Sequence, residues 1–287
     1  METSELLKRV RTIEIRTRGL SNQIFSGEYH SAFKGRGMAF RENREYAHGD
    51  EIRTIDWNVT ARMGHPFVKV FEEERELTAV VLADVSASEQ FGSSKMLKRQ
   101  LITELAAVVS FSAIQNNDKA GVILFSDRVE KFIPPKKGKT HILRIIRELL
   151  EFKPEHKGTN ISAALSYLSQ AIKKRCIVFV ISDFIDDNFE KALKIAAQKH
   201  DVIAIQVSDK YDRTLPDLGL VRMSDKESGL SRWVNTSSLK VRTSFEQRAK
   251  IQALQVRDAF RKAGVDVAYA ETGQDYVKPL MNLFKRR

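Results

Sequence analysis

The chain has 287 residues, with 48 Lys and Arg against 37 Asp and Glu, a formal net charge of +11. Hydrophobic residues make up 42% and charged residues 30%, with only 14 Gly and 6 Pro, a balance that fills a core and excludes disordered, collagen-like and low-complexity chains. A single cysteine, Cys176, excludes an internal disulfide. The mixed charges of the first twenty residues do not read as a signal peptide, and no apolar run nears the ~18–20 residues that span a bilayer, so a soluble, cytoplasmic protein is expected.

Two stretches differ in pattern. Residues 1–75 are expected to form a helix over 4–18, with Leu6, Leu7, Val10 and Ile13 on one side, followed by hairpins and loops packed on the main domain. The aromatics of that second part (Phe25, Tyr29, Phe33, Phe40, Tyr46, Trp57, Phe67) follow no helical period. Residues 76–287 alternate strand and helix signals. Thr78–Ala83 is a short apolar run ending in Asp84, as for a strand buried on both faces. A helix from about Lys95 to Gln115 carries Leu97, Leu101, Leu105, Val108, Val109 and Ser112 on one stripe. Gly121–Phe125 and Val129–Ile133 read as a hairpin-like pair, followed by helical spacing at 141–150 and 161–172.

Cys176–Ile181 is a second buried strand, running on into Ser182-Asp183, with Cys176 as inert packing. Then come a helix through Phe189, Leu193, Ala196 and Ala197, a strand Val202–Val207, and a polar hairpin over 219–238. A long helix through Phe245 and Phe260, a strand Val265–Ala270 and a closing helix over 276–284 complete the chain. This order predicts an α/β fold with a doubly wound, mostly parallel sheet covered on both faces.

Open α/β sheets bind ligands at the carboxyl ends of their strands, where strand order reverses. One strong strand ends Asp84-Val85-Ser86-Ala87-Ser88 and the other Ser182-Asp183, while Lys157-Gly158-Thr159-Asn160 is a turn that opens a helix between them in sequence. Carboxylates and hydroxyls without thiol or imidazole suit a hard divalent cation, Mg²⁺ first, with Mn²⁺ or Ca²⁺ as alternatives. For Asp84, Ser86 and Ser88 the competing role is helix capping by short polar side chains. The six histidines show no zinc-ligand spacing, and no nucleophile elbow is present.

Asp-x-Ser-x-Ser, the later Gly-Thr turn and the strand-ending Ser-Asp resemble the metal-ion-dependent adhesion site of von Willebrand factor A-like domains. The resemblance implies Asp84, Ser86, Ser88, Thr159 and Asp183 as metal-site residues, with Lys157 and Phe184 standing where glycines are usual. A narrower resemblance covers most of the chain. Arg44-Glu45-Tyr46, Gly49-Asp50, Arg53, Ile55-Asp56-Trp57, Ala61-Arg62 and Val68–Glu72 are similar to the signature of a bacterial family known as domain of unknown function 58. Its members are often encoded beside MoxR-type AAA+ ATPases, which implies an adaptor or chaperone-like partner of such an ATPase.

The expected function is therefore a non-enzymatic, cation-dependent protein-interaction module whose metal accepts a partner's carboxylate. Two alternatives stay open: a Mg²⁺-dependent phosphohydrolase with Asp84 as nucleophile, and nucleic-acid binding through the basic carboxyl-terminal region. That region, 227–287, holds 12 basic against 6 acidic residues and ends Lys285-Arg286-Arg287. The charged Arg44–Trp57 segment reads as a hydrogen-bonded lattice anchored by a buried Trp57, or as a partner surface.

Overall fold

A computed structural model describes residues 38–73, 77–93, 96–186, 188–224 and 229–287, together with 13, 19 and 20. Apart from Ile13, the helix expected over 4–18 lies outside these residues, as do Phe25, Tyr29 and Phe33. The chain divides into two units, 30–77 on one hand and 78–287 with 1–29 on the other.

In the smaller unit, strands β1 (Met38–Glu45) and β2 (Phe67–Glu73) pair antiparallel, with helix α1 (Trp57–Met63) between them in sequence. The Asp56 carboxylate starts α1 by accepting from the backbone N–H groups of Asn58 and Val59, and Gly64 ends it at φ 77°, a left-handed conformation that suits glycine. The Arg44 guanidinium holds both oxygens of Asp50, at 2.6 and 2.8 Å, and this hydrogen bonding keeps the Asp50 carboxyl below its usual range. These charged groups pair within their own unit. Trp57 is not the buried anchor expected, since it is 68% exposed. The neighbouring Asp56 carries the anchoring instead, through the helix cap, Asn43 and Lys69.

The larger unit begins with β3 (Thr78–Asp84), buried from Ala79 onward as a central parallel strand should be. It continues through α2 (Lys98–Gln115), β4 (Lys119–Phe125), β5 (Val129–Lys136), α3 (Lys139–Glu151), α4 (Ile161–Ala171) and β6 (Ile177–Ser182). Next come α5 (Glu190–Lys199), β7 (Asp201–Ser208), the one-turn α6 (Lys210–Arg213) and a hairpin of β8 (Leu220–Ser224) and β9 (Ser231–Asn235). Helix α7 (Leu239–Ala263), β10 (Asp266–Glu271) and α8 (Val277–Lys285) close the unit.

Six strands form one sheet in the order β10-β7-β6-β3-β4-β5, all parallel except β5. The edge position of β5 tolerates Pro134 and Pro135, which cannot donate to a ladder. Opposite them Gly121 is required by space, because a Cβ there would meet Pro135 at 2.9 Å. Chain order runs outward from β3 through β4 to β5, then returns to β6 and runs the other way. The switch point therefore lies between β3 and β6.

Side-chain alternation splits the core. Val80, Leu82, Val178 and Val180 pack with α4, α5 and α7 on one face, where Phe260, Phe184 and Phe189 cluster. Phe179 turns to the other face and meets Phe284 of α8. Helix α2 is buried almost all round, from Leu101 to Ala113, rather than along one stripe, because α3 packs over the side away from the sheet through Phe111, Ile142 and Ile146. Leu97, counted in the expected stripe, precedes the helix and is exposed. The described part of the fold is α/β with a mostly parallel mixed sheet, as expected, and none of its helices is long and apolar enough to cross a membrane.

His200, where α5 meets β7, is buried with its Nδ1 3.2 Å from the Cys176 sulfur. Burial, with the charges of Lys199 and Arg175, lowers the His200 pKa to about 4, and burial pushes the Cys176 thiol up to about 12. The unfolded chain thus binds a proton below about pH 6.5 that the folded chain refuses until about pH 4, so stability is lost as pH falls through that window. Substituting His200→Gln is expected to remove about 2 kcal/mol of that acid sensitivity, read as a flatter dependence of urea-unfolding free energy on pH between 6.5 and 4.

Candidate metal centre

Strand β3 delivers Asp84 to the switch-point crevice beside Ser182, the last residue of β6. The Ser182 hydroxyl donates to Asp84 Oδ2 at 2.6 Å, and the Ser86 backbone N–H donates to Oδ1 at 2.9 Å. That second bond bends the chain into a short 3₁₀ turn, Ala87–Gln90, that carries Ser88 and Glu89. The Ser86 and Ser88 hydroxyls lie 3.1 Å apart. The backbone N–H of Ala87 donates to the Lys157 carbonyl at 2.9 Å, which brings the Gly158-Thr159 turn alongside. Asn160 then caps α4 by accepting from the Ala163 N–H, and Thr159 is left partly exposed at the rim.

Across the crevice, Asp183 Oδ1 accepts from the Ile185 N–H at 3.1 Å. Its Oδ2 accepts from the ammonium of Lys98 at 2.9 Å, and the same ammonium stands 3.5 Å from Asp212. Lys98, the first residue of α2, is only 2% exposed. Burial alone would lower its pKa, but the charges of Asp183, Glu89 and Asp212 outweigh that and raise it, so it remains an ammonium. Asp84 is pushed the other way, up to about 7, by its own burial and by the charge of Asp183.

The structure therefore gathers Asp84, Ser86, Ser88 and Asp183 at one spot, with the turn bearing Thr159 next to them. It adds two residues that sequence reasoning missed. Glu89 is fully enclosed, neither of its oxygens completes a hydrogen bond, and burial with the charges of Asp183 and Asp84 raises its pKa well above the usual value. One oxygen each from Asp84, Glu89 and Asp183 lie within 4.8 Å of one another. In sequence, Glu89 looks like an acidic residue in the first turn of a helix, and Lys98 like one of several surface cations. Nothing local marks either as buried.

These donors fit a hard divalent cation. All are oxygens, three are carboxylates, and one of the three, Glu89, has no donor in full hydrogen-bond geometry. Among the described residues, no imidazole or thiol joins the centre. The backbone at its lip is strained: Phe184 adopts φ 59°, a left-handed conformation that bulky side chains rarely take. Its ring holds it there, buried edge-on against Phe260 at 4.9 Å and near Phe189 at 5.7 Å, while its N–H donates to the Ser182 hydroxyl.

A sheet of this order with an oxygen-rich centre at its switch point defines an α/β domain of the von Willebrand factor A-like kind. The chain belongs to the family described as protein of unknown function DUF58, whose model matches residues 42–255. The uncharacterized protein Rv1480 of Mycobacterium tuberculosis is 27% identical over 290 residues, covering 100% of this chain and 91% of its own, and Mb1516 of Mycobacterium bovis matches equally. Among solved structures, the conserved hypothetical protein BatB from Bacteroides thetaiotaomicron is similar in fold, with TM-score 0.50 and 16% identity over 73% of this chain and 98% of that one.

Truncating a buried phenylalanine leaves a cavity, so Phe184→Ala is expected to cost ~3–4 kcal/mol. Phe184→Gly removes the same ring but also the left-handed strain, and should be about 1 kcal/mol more stable than the alanine variant. Equilibrium urea unfolding of the two variants reads this reversal of the usual alanine–glycine order.

Proposed function

We propose that the chain is a non-enzymatic, divalent-cation-dependent protein-interaction module of the cytoplasm, acting as adaptor or chaperone-like partner of a MoxR-type AAA+ ATPase. The observation that carries this reading is the buried oxygen centre at the switch point, reached from solvent past the hydroxyl-bearing Ser88 and Thr159. Asp84, Ser86, Ser88, Thr159 and Asp183 would hold the cation. When bound, it supplies an electrophilic position at which a partner's Asp or Glu side chain can dock. Asp84 orients the loop through the Ser86 N–H, and the Ser86–Ser88 hydroxyl contact keeps both oxygens together. The ATPase as partner rests on the resemblance of the Arg44–Glu72 signature.

A phosphohydrolase fits the geometry less well. Asp84 is wholly buried and its two oxygens accept from the Ser86 N–H and the Ser182 hydroxyl, a setting that makes it a poorly accessible nucleophile toward a phosphorus atom. The carboxyl-terminal region is also not a loose basic tail. Helix α8 buries Leu280, Leu283 and Phe284, and Arg287 is paired with Asp201 and Asp266.

The test is a pull-down from native lysate, with Mg²⁺ and with chelator, using wild type and Thr159→Ala. A MoxR-type ATPase retained only by wild type with Mg²⁺ is the expected result. Retention under all four conditions would detach the partnership from the centre, and no retention would remove the adaptor reading.

A further inference from the structure

A centre built of two aspartates and three hydroxyls has no need of Glu89, yet this chain buries it there. Its side chain is completely enclosed, no donor meets either oxygen in full hydrogen-bond geometry although the Asp183 backbone N–H acts on it, and one oxygen shares a space less than 4.8 Å across with oxygens of Asp84 and Asp183. An enclosed carboxylate so poor in donors either holds a proton or sits beside positive charge, and three of them converging within 4.8 Å form a place that a cation would occupy. Lys98 supplies one unit, hydrogen-bonded to Asp183 and 3.5 Å from Asp212, and its charge also acts on Glu89. Counting Asp212, which shares that ammonium, four carboxylates and one ammonium, −4 + 1, leave −3 when all are ionised, an excess that one divalent ion would largely offset.

We propose that Glu89 is a direct carboxylate ligand of the divalent cation, and that Lys98 is the fixed counter-charge that lets a third carboxylate stand there. This rests on the cation reading of the centre and deepens it. Asp84 and Glu89 leave β3 while Asp183 leaves β6, and Asp84 and Glu89 are the fully enclosed carboxylates. The ion is thus gripped from the interior, joining both lips of the crevice. Ser88 and Thr159, partly exposed, border the side on which a partner would approach. Lys98 also lets the fold persist without metal, because the Asp183 carboxylate keeps a cation at all times.

The experiment titrates the full chain with Mn²⁺, free ion being read by electron paramagnetic resonance, and melts each protein in chelator and in Mn²⁺. Wild type is expected to take up one Mn²⁺. Glu89→Gln should weaken that uptake at least tenfold, yet melt no lower than wild type in chelator, since it removes a buried charge. Lys98→Met should lower the melting temperature in chelator and regain it in Mn²⁺. The double variant Glu89→Gln/Lys98→Met, with its net charge back at the wild-type value, should melt in chelator above Lys98→Met alone. Unchanged uptake by Glu89→Gln would overturn the ligand assignment and leave the cation reading standing. A double variant no more stable than Lys98→Met would overturn the counter-charge role. If wild type takes up no Mn²⁺ while Glu89→Gln melts normally, the cation reading itself fails and this inference falls with it.

Discussion

Negative charge buried where β3 and β6 part is the constraint around which the larger unit is organised. Oxygens of Asp84, Glu89 and Asp183 converge within 4.8 Å, and all three side chains are buried. Carboxylates so placed repel one another strongly in a medium of low polarisability, and the protein answers with fixed partners. The Ser182 hydroxyl and the Ser86 N–H take Asp84, and the Ile185 N–H and Lys98 take Asp183. These partners come from the ends of β3 and β6 and from the start of α2. Satisfying the charge therefore fixes β3, β6 and α2 relative to one another.

The same network runs on toward the sheet edge. Lys98 reaches Asp212 in α6, and Asp209 before it accepts from the Ser93 N–H, the Tyr211 N–H and the Thr272 hydroxyl. Burial would raise Asp209, but those donors outweigh it and hold its carboxyl low. Loops that follow β3, β7 and β10 are thereby joined at the carboxyl ends of their strands. Under the proposed function, polar groups on such rigid supports would be held in place before a partner arrives, which lowers the ordering cost of association. The strained Phe184 belongs to the same economy: three aromatic rings hold a backbone conformation that places Asp183 and the Ile185 N–H at the lip.

The smaller unit presents a different principle. Its charged signature, spread from Arg44 to Lys69, is used on local pairing: Arg44 with Asp50, Asp56 with the start of α1, Asn43 and Lys69. Ile52, Trp57 and Met63 stay exposed around that scaffold. The family model spans residues 42–255 and so takes in most of both units.

The alternation of apolar runs with helical spacing was enough to predict every strand of the six-stranded sheet, its mostly parallel order, and the placing of Asp84 and Asp183 at strand ends. Burial on both faces forces a parallel strand to be apolar throughout, and the first polar residue then marks where the strand emerges. The hairpin over 219–238 was legible for the complementary reason, a polar two-stranded pattern with turn residues. Helix α1 and the one-turn α6 were not, since seven and four residues are too few to establish a period. Tertiary structure alone decided that α2 is enclosed on all sides, that Trp57 stands in solvent, and that Glu89 and Lys98 belong to the centre. Lys98 and Asp183 are 85 positions apart in the chain. Local spacing reports which way a side chain faces, whereas the pairing of buried charges depends on which distant strand ends the sheet order brings together.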